Sequence, residues 1–256
     1  MTTLISFDVD GTLVTSVGDA ANKLHRRAFA NSFKEIFGIE TTIDVVKHHG
    51  STDPLIILAV LKHHGIPLEK AKARLSDLQA SMIKFFQDHQ SEAAQGLRLL
   101  PGVKELLETL QADPNVATCL VTGNLQPIGW GKMRALGIEH LFSPQPFGGF
   151  GSDFCSGNIA ESWKDRSELV GIAAKRAEEL VEGPVVRRFH IGDAPMDMMA
   201  AEGAGATPVG VTTGIFSKQQ LEESVKPETN IIVLEGLAEP AKVKEALNLN
   251  NHHTQE

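Results

Sequence analysis

Short apolar runs alternate with helical patterns along most of the chain after residue 101, and this alternation constrains the fold more than any other feature. Each run is too short for a helix and ends at turn-forming residues, which is typical of a buried strand. The predicted strands are 116–124, 186–193, 207–211 and 230–234, and the predicted helices are 102–112, 127–136, 166–181, 195–204 and 236–247. Because such alternation implies right-handed crossovers, the sequence predicts an α/β fold with a mainly parallel sheet.

A long helical stretch separates one further strand from this sheet. Residues 3–9 form an apolar run that ends at Asp-Gly, whereas apolar residues recur every three or four positions from about 17 to 92. One helix is expected after the Ser-Thr-Asp-Pro sequence at 51–54, a typical helix start, and another at 67–89.

This pattern divides the chain into two predicted parts. We expect a catalytic core formed by residues 1–15 and 98–256 together, interrupted by an all-helical insert at 16–97.

Polar residues suited to chemistry follow three of the predicted strands. Asp8 and Asp10 follow the first strand, Thr122-Gly123-Asn124 follow the second, and Asp193 follows a third. Because ligands gather at the carboxyl ends of the strands in open α/β sheets, we expect these side chains to lie together. Three carboxylates in a small volume repel one another unless a cation neutralises them, and oxygen-only ligands suit Mg²⁺. The sequence therefore predicts a site for Mg²⁺ and a phosphoryl group.

Charge and composition exclude several other classes of function. The net charge of −8 and the lack of a long basic cluster argue against binding to nucleic acid or to a membrane surface, leaving a small anionic substrate possible. The N-terminus lacks the pattern of a signal peptide, and no run of about 18 apolar residues occurs. The two cysteines have no metal-ligand spacing. We therefore expect a soluble cytoplasmic protein, with the choice between monomer and dimer left open.

Four motifs occur in the order found in one enzyme superfamily. They are DVDGT after the first strand, VTGN at the end of another, a basic residue in a later helix, and GDAPMD. Together they resemble the haloacid dehalogenase-like hydrolases, in the phosphatase branch that includes phosphoglycolate-phosphatase-like members. The resemblance implies a Rossmann-like α/β core with an inserted all-helical cap domain. It also implies Mg²⁺-dependent hydrolysis of a phosphate monoester of a small metabolite, through an aspartyl-phosphate.

The resemblance assigns roles to the residues that match these motifs. Asp8 is expected to be the nucleophile, and Asp10 the general acid and base. Asp8 and Asp193 are expected to bind Mg²⁺ through their carboxylates, and Asp10 through its backbone carbonyl. The hydroxyl of Thr122 is expected to bind a phosphoryl oxygen.

Further roles follow from the flanking residues of these motifs. Gly123 and Asn124 are expected to offer backbone N–H groups to the phosphate. Asp197 is expected to orient the basic residue or a metal-bound water. The third motif departs from the common lysine-proline-x-proline pattern, so Arg166, in DRSELVGIAAKRA, is the first choice for the basic residue and Lys164 its rival.

The sequence leaves the substrate and one alternative function open. Gly50, Ser51, Thr52 and Asp53 resemble a substrate-facing cap loop, and His48 or His49 is a further candidate for contact with the substrate. Asp10 argues against a dehalogenase or a phosphonatase, which usually lack an acid at this position. A phosphosugar mutase of the same superfamily keeps both acids and stays an alternative, as does a non-catalytic interaction module.

Overall fold

The computed structural model describes residues 1–18, 22–143 and 145–249. The strands are β1 (Thr2–Phe7), β2 (Val14–Ser16), β3 (Leu97–Leu99), β4 (Val116–Thr122), β5 (Gly148–Phe150), β6 (Val185–Gly192), β7 (Thr207–Val211) and β8 (Ile232–Leu234). Six of them form one sheet in the order β5-β4-β1-β6-β7-β8, and every pairing in it is parallel. The predicted α/β class with a parallel sheet is confirmed.

The strand order creates a switch point at β1. From β1 the chain builds outward on one side through β4 and β5, and then on the other side through β6, β7 and β8. At such a point the loops that leave neighbouring strands diverge and open a crevice at the carboxyl edge. The polar residues that follow β1, β4 and β6 therefore meet at this crevice.

Helices cover both faces of the sheet. Those of the core are α5 (Val103–Gln111), α6 (Gln126–Ala135), α7 (Ser162–Leu180), α8 (Pro195–Gly203), α9 (Lys218–Glu222) and α10 (Pro240–Ala246). All six residues of β1 are buried, and successive side chains point to opposite faces. Ile5 and Phe7 pack into a large aliphatic and aromatic cluster, whereas Leu4 packs into an alanine-rich cluster with α7 and α8.

Four helices lie between β2 and β3, and we call residues 23–88 the helical segment. They are α1 (Lys23–Phe37), α2 (Asp53–His63), α3 (Leu68–Ala73) and α4 (Leu75–Asp88). Their apolar faces form a hydrophobic cluster of their own, which extends to Leu125 and Ile128 of the core. β2 and β3 pair antiparallel, with Val14 opposite Leu99, so the two connections to the core run side by side. The division at 15/16 and 97/98 stays a prediction.

Several elements differ from the sequence-based expectations. The helix expected at 67–89 is two helices that break at Arg74, and the helix expected at 166–181 begins earlier, at Ser162. The strands β2, β3 and β5 and the helix α9 were not predicted. Within the described ranges, no helix is both long and apolar enough to cross a membrane.

Candidate active site

The ends of three parallel strands bring the predicted acids together. Asp8 directly follows β1, and its backbone N–H donates to the carbonyl of Ile191 in β6 at 2.8 Å, which extends the parallel pairing past the strand. Asp193 directly follows β6, next to β1 in the sheet. Asp197 lies in the first turn of α8, where its carboxylate accepts from the N–H of Ala194 at 3.1 Å. One carboxylate oxygen from each of these aspartates lies within 4.8 Å of the others.

The backbone approaches Asp193 of this acidic cluster closely at two glycines. Gly11 has φ +93°, and a Cβ there would overlap the carboxylate of Asp193. A Cβ at Gly214, in the loop after β7, would overlap the same carboxylate. The hydroxyl of Thr12 lies 3.4 Å from Oδ1 of Asp193. Any side chain at either glycine would therefore displace Asp193 from the cluster.

The crowding of carboxylates is reflected in their proton affinities. Burial raises the pKa of Asp8 to about 6 against the opposing effect of Arg166, and the neighbouring Asp197 and Asp10 add to the increase. Burial, with Asp197 and Asp8, raises the pKa of Asp193 to about 8. Both groups thus hold protons in place of a counter-ion over part of the neutral range. The donor set is entirely oxygen, so these residues fit a hard cation such as Mg²⁺.

Arg166 is the cation next to the first aspartate. Its Nη2 lies 3.0 Å from Oδ1 of Asp8 and also contacts Oδ1 of Asp197, and its side chain is 4% exposed. Burial favours protonation of Asp197, but Arg166 and His190 outweigh it and lower its pKa. The structure thus brings together Asp8, Arg166 and Asp197 as the motifs predict.

Lys164 lies elsewhere, so its expected contact with phosphate is not supported by its position. Its ammonium pairs with Glu161 at 2.6 Å, and its side chain is 53% exposed. Both basic residues lie in α7, but two residues along a helix turn a side chain by about 200°, which takes Lys164 away from the face that carries Arg166.

The loop after β4 is held against the helical segment. The hydroxyl of Thr122 accepts from the N–H of Asn124 at 3.3 Å, and a Cβ at Gly123 would overlap the carbonyl oxygen of Ser51. The N–H of Asp53 donates to the carbonyl of Gly123 at 2.8 Å. In return, the carboxylate of Asp53 accepts from the N–H of Leu125 at 3.0 Å. These reciprocal bonds fix the start of α2 on the Thr122–Asn124 turn.

Gly50 and Thr52, two other members of the expected substrate loop, lie in different surroundings. A Cβ at Gly50, which has φ +74°, would lie 2.9 Å from Cγ of Met196, so the loop also rests on the first turn of α8. Thr52 is fully buried and its hydroxyl has no partner among the described residues. It does not line the cavity, which differs from the expected contact with substrate.

Asp10 has partners of its own. The ammonium of Lys132, in α6, donates to both carboxylate oxygens of Asp10, at 2.8 and 2.7 Å, and the amide of Asn124 donates to Oδ2 at 3.2 Å. Burial alone would raise the pKa of Asp10, but Lys132 and the nearby His25 outweigh it and lower that pKa. Asp10 is therefore held as a carboxylate, in contrast to Asp8 and Asp193.

A cavity of about 470 Å³ opens beside these side chains. Among its lining residues, the core contributes Asp8, Asp10, Thr122, Gly123, Asn124, Arg166, Asp193 and Asp197, and the helical segment contributes His25, Arg26, His48, His49, Gly50 and Ser51. Every aspartate predicted for the site faces this one space, whose remaining wall comes from the helical segment and from the loop at 213–216.

Three residues of the site make contacts that sequence reasoning did not find. Lys132 stands four positions after Ile128 on the buried face of α6, and a lysine among apolar positions was its only signal. His25 and Asp53 form a buried pair at 3.0 Å, between α1 and the start of α2. Asp53 was expected in the substrate-facing loop and at a helix start, but its contacts with His25 and Leu125 were not expected, because these partners lie in remote segments.

The fold and the site together define an α/β enzyme with an acidic centre at the switch point of a parallel sheet, contacted by an inserted helical segment. A family model described as haloacid dehalogenase-like hydrolase matches residues 2–205, and a second one, described as HAD-hydrolase-like, matches residues 171–240. The chain belongs to the haloacid dehalogenase-like hydrolase family, as its motifs indicate.

Individual relatives agree with this assignment. The chain is 29% identical over 228 residues to a phosphoglycolate phosphatase of Mannheimia succiniciproducens, which covers 86% of this chain and 90% of that protein. A hydrolase from Pseudomonas syringae shares the fold with a TM-score of 0.62 at 23% identity, covering 96% of this chain and 98% of that one. CbbY from Rhodobacter sphaeroides, solved in complex with phosphate, has a TM-score of 0.61 at 20% identity, covering 93% and 96%.

Proposed function

We propose that the protein is a Mg²⁺-dependent phosphatase that hydrolyses a phosphate monoester of a small metabolite through an aspartyl-phosphate on Asp8. The observation that carries the proposal is the position of Asp8, at the end of β1, 3.0 Å from Arg166 and within one acidic cluster with Asp193. A carboxylate and a phosphoryl dianion repel each other, so the attack needs positively charged groups that contact both of them. The phosphoglycolate phosphatases among the relatives support a small phosphorylated substrate.

Asp8 and Asp193 would hold Mg²⁺ through their carboxylates, with the backbone carbonyl of Asp10 as a further ligand. Bound there, Mg²⁺ supplies positive charge that the nucleophile and the phosphoryl oxygens share. Asp197 is engaged by Arg166 through Oδ1 and by Ala194 through Oδ2, so it orients the guanidinium instead of binding the metal.

In the first step, an oxygen of Asp8 attacks phosphorus while the bond from phosphorus to the ester oxygen breaks. Arg166 holds the attacking carboxylate and faces the charge that spreads over the phosphoryl oxygens. The hydroxyl of Thr122 and the N–H groups of the turn that follows bind those oxygens. Asp10 is a carboxylate in the metal-free protein, so it must take up a proton before this step, and it then gives that proton to the departing alkoxide, which leaves as the alcohol.

In the second step, water attacks phosphorus of the aspartyl-phosphate. Asp10, now a carboxylate, takes the proton from the water, and the bond between phosphorus and the oxygen of Asp8 breaks. The step releases inorganic phosphate, regenerates the carboxylate of Asp8 and returns Asp10 to its acid form.

Residues 16–97 act in this proposal as a cap domain on a core of residues 1–15 and 98–256. The contacts of Asp53 with Gly123 and Leu125 close the helical segment onto the turn that binds phosphate. Closure excludes bulk water from the carboxylate of Asp8 while it attacks phosphorus and the alcohol leaves. The histidines that line the cavity from the helical segment then face the leaving group.

The test is release of inorganic phosphate from a panel of phosphorylated metabolites, phosphoglycolate among them, with 5 mM Mg²⁺ and with EDTA. We expect Mg²⁺-dependent release from a few members, and its loss in Asp8→Asn, with an unchanged circular dichroism spectrum. Asp8→Asn keeps the shape of the side chain and removes its nucleophilic charge.

Each other outcome has a definite meaning. Conversion of a sugar phosphate into an isomer, without release of phosphate, would identify a mutase. Equal turnover in the presence of EDTA would exclude the metal dependence, and full activity of Asp8→Asn would exclude the nucleophile. No turnover of any compound would favour a non-catalytic interaction module.

A further inference from the structure

Lys132 is a fully buried lysine whose ammonium group pairs with the carboxylate of Asp10. Its side chain has no exposed surface, and its ammonium lies 2.8 and 2.7 Å from the two oxygens of Asp10. Ile128, one turn earlier on the same side of α6, and Met133, the next residue, are both buried and apolar. The position is therefore one at which a hydrophobic residue would pack well.

Stability alone gives no reason for a lysine at this place. Replacing a buried ion pair by hydrophobic residues of similar volume is often neutral or stabilising, because the pair loses the hydration of both charges. A methionine in place of Lys132 would suit the apolar face of α6, and Asp10, which is 35% exposed, keeps access to water without it. What a hydrophobic residue lacks is the means to fix the carboxylate of Asp10.

The carboxylate of Asp10 is held on one side and open on the other. Lys132 binds both oxygens, and the amide of Asn124 adds a third donor at 3.2 Å. These donors come from α6 and from the turn that leads into it, two connected parts of the core. The exposed part of Asp10 faces the cavity that also contains Asp8. The rotamer of Asp10 is thus set from the core while its reactive edge stays accessible.

We propose that Lys132 is a positioning residue that holds Asp10 toward the leaving group during proton transfer. The inference rests on the proposed function, in which Asp10 protonates the departing alkoxide. It predicts a defect confined to substrates whose leaving group needs that proton. Alkyl phosphates release poorly stabilised alkoxides, whereas p-nitrophenyl phosphate and acetyl phosphate release stable anions that depart unprotonated.

The test compares kcat/KM for an alkyl phosphate and for p-nitrophenyl phosphate or acetyl phosphate, in the wild type and in Lys132→Met. This ratio reports on the steps up to departure of the leaving group, before water attacks the intermediate. General acid catalysis contributes about 10²- to 10⁴-fold, so a misplaced acid should lower kcat/KM for the alkyl phosphate by roughly 10- to 100-fold. The value for the activated phosphate should change by less than about threefold.

Two controls isolate the role of Lys132. Arg134→Met, an exposed cation on the same helix that pairs with Glu139, should leave both values unchanged. In an Asp10→Asn background, Lys132→Met should cause no further loss on the alkyl phosphate, because the group that it positions is already gone. Circular dichroism and melting temperature show whether each variant is folded. If Lys132→Met does not fold, Lys132→Gln, which keeps a neutral N–H donor group, takes its place in the test.

The outcomes separate this inference from the function on which it rests. A wild type that hydrolyses neither substrate refutes the proposed phosphatase. An active wild type with an equal loss on both substrates in folded Lys132→Met refutes the positioning role alone. Failure of both Lys132→Met and Lys132→Gln to fold would make Lys132 a structural residue and would likewise overturn the inference.

Discussion

Without a metal, the stability of this protein should fall as the pH rises from 6 to 8, and Asp193 should cause the fall. Burial and the neighbouring carboxylates raise the pKa of Asp193 from 3.8 to about 8. Between those values the folded protein holds a proton that the unfolded chain has released, so raising the pH disfavours the folded state. The stabilisation from this proton is complete below about pH 4 and is lost as the pH approaches 8.

The magnitude follows from the width of the pH window. One pH unit corresponds to about 1.4 kcal/mol per proton, and the proton on Asp193 is half released at pH 8, so the rise from pH 6 to 8 removes about 2 kcal/mol of unfolding free energy. Asp8, with its pKa raised to about 6, has already lost its proton over most of this window. For a chain of this size, about 2 kcal/mol corresponds to a fall in Tm of roughly 4–8 °C.

The assay is thermal unfolding in EDTA at several pH values, for the wild type and for Asp193→Asn. Other groups, histidines above all, titrate in the same window, but they are common to both proteins and cancel in the difference between the two Tm values. The wild type should therefore lose Tm relative to Asp193→Asn as the pH rises. Asp77→Asn, at an exposed carboxylate of α4, should instead follow the wild type.

Addition of Mg²⁺ completes the experiment. The metal competes with the proton on Asp193, so it should stabilise the wild type more at pH 8 than at pH 6 and stabilise Asp193→Asn much less. A difference in Tm between the wild type and Asp193→Asn that stays constant from pH 6 to 8 would refute the reasoning. So would equal stabilisation of both proteins by Mg²⁺.

Two further predictions concern the contacts around Asp8 and the start of α2. Arg166→Met should leave the buried carboxylates of Asp8 and Asp197 without their cation, which should lower the unfolding free energy of the metal-free protein by about 3–5 kcal/mol. Urea unfolding should show this loss, and phosphatase assays should show a loss of activity. Lys164→Met should stay close to the wild type in both measurements. Asp53→Ala should leave the buried N–H of Leu125 unpaired and lower the free energy of unfolding by about 1–3 kcal/mol. It should also reduce kcat/KM, because the helical segment is held less firmly on the core. Wild-type values of both Tm and kcat/KM would contradict this prediction.

The residues of the site that could be predicted are those that lie in a recognisable local sequence pattern. The sequence favoured Arg166 over Lys164, and the structure places Arg166 against Asp8 and Lys164 at the surface. Strand recognition and topology were enough for Asp8 and Asp193, whereas Arg166 was chosen from its resemblance to the family's third motif.

The strand β5 could not be predicted, for a steric reason. It consists of Gly-Gly-Phe, and a Cβ on Gly148 or Gly149 would overlap the carbonyl oxygens of Leu120 or Leu169. Packing this close requires glycine, which removes the apolar pattern by which a strand is recognised. β2 and β3 were missed for a different reason. Each has three residues, and each pairs with a strand that the whole helical segment separates from it along the chain.

Lys132 could not be assigned because its partner is 122 residues away along the chain. Locally it is a lysine in a helix, and such residues usually face water. The same holds for Asp53, a typical helix-start residue whose carboxylate reaches Leu125, 72 residues further on. Contacts of this kind depend on how the helical segment and the core meet, which the local pattern does not specify.

The charges around the cavity explain why the proposed function calls for a divalent cation and not for one more basic residue. Four aspartates line it at the sheet edge, namely Asp8, Asp10, Asp193 and Asp197, and the two buried cations Arg166 and Lys132 are each bound to one or two of them. The raised pKa values fall on the two aspartates that share the least of this positive charge, Asp193 most of all. A further lysine or arginine there would neutralise one charge and fill the space that the phosphoryl group needs. A small divalent ion neutralises two charges and keeps coordination positions for phosphoryl oxygens, so it converts proton-binding carboxylates into a surface that attracts a dianion.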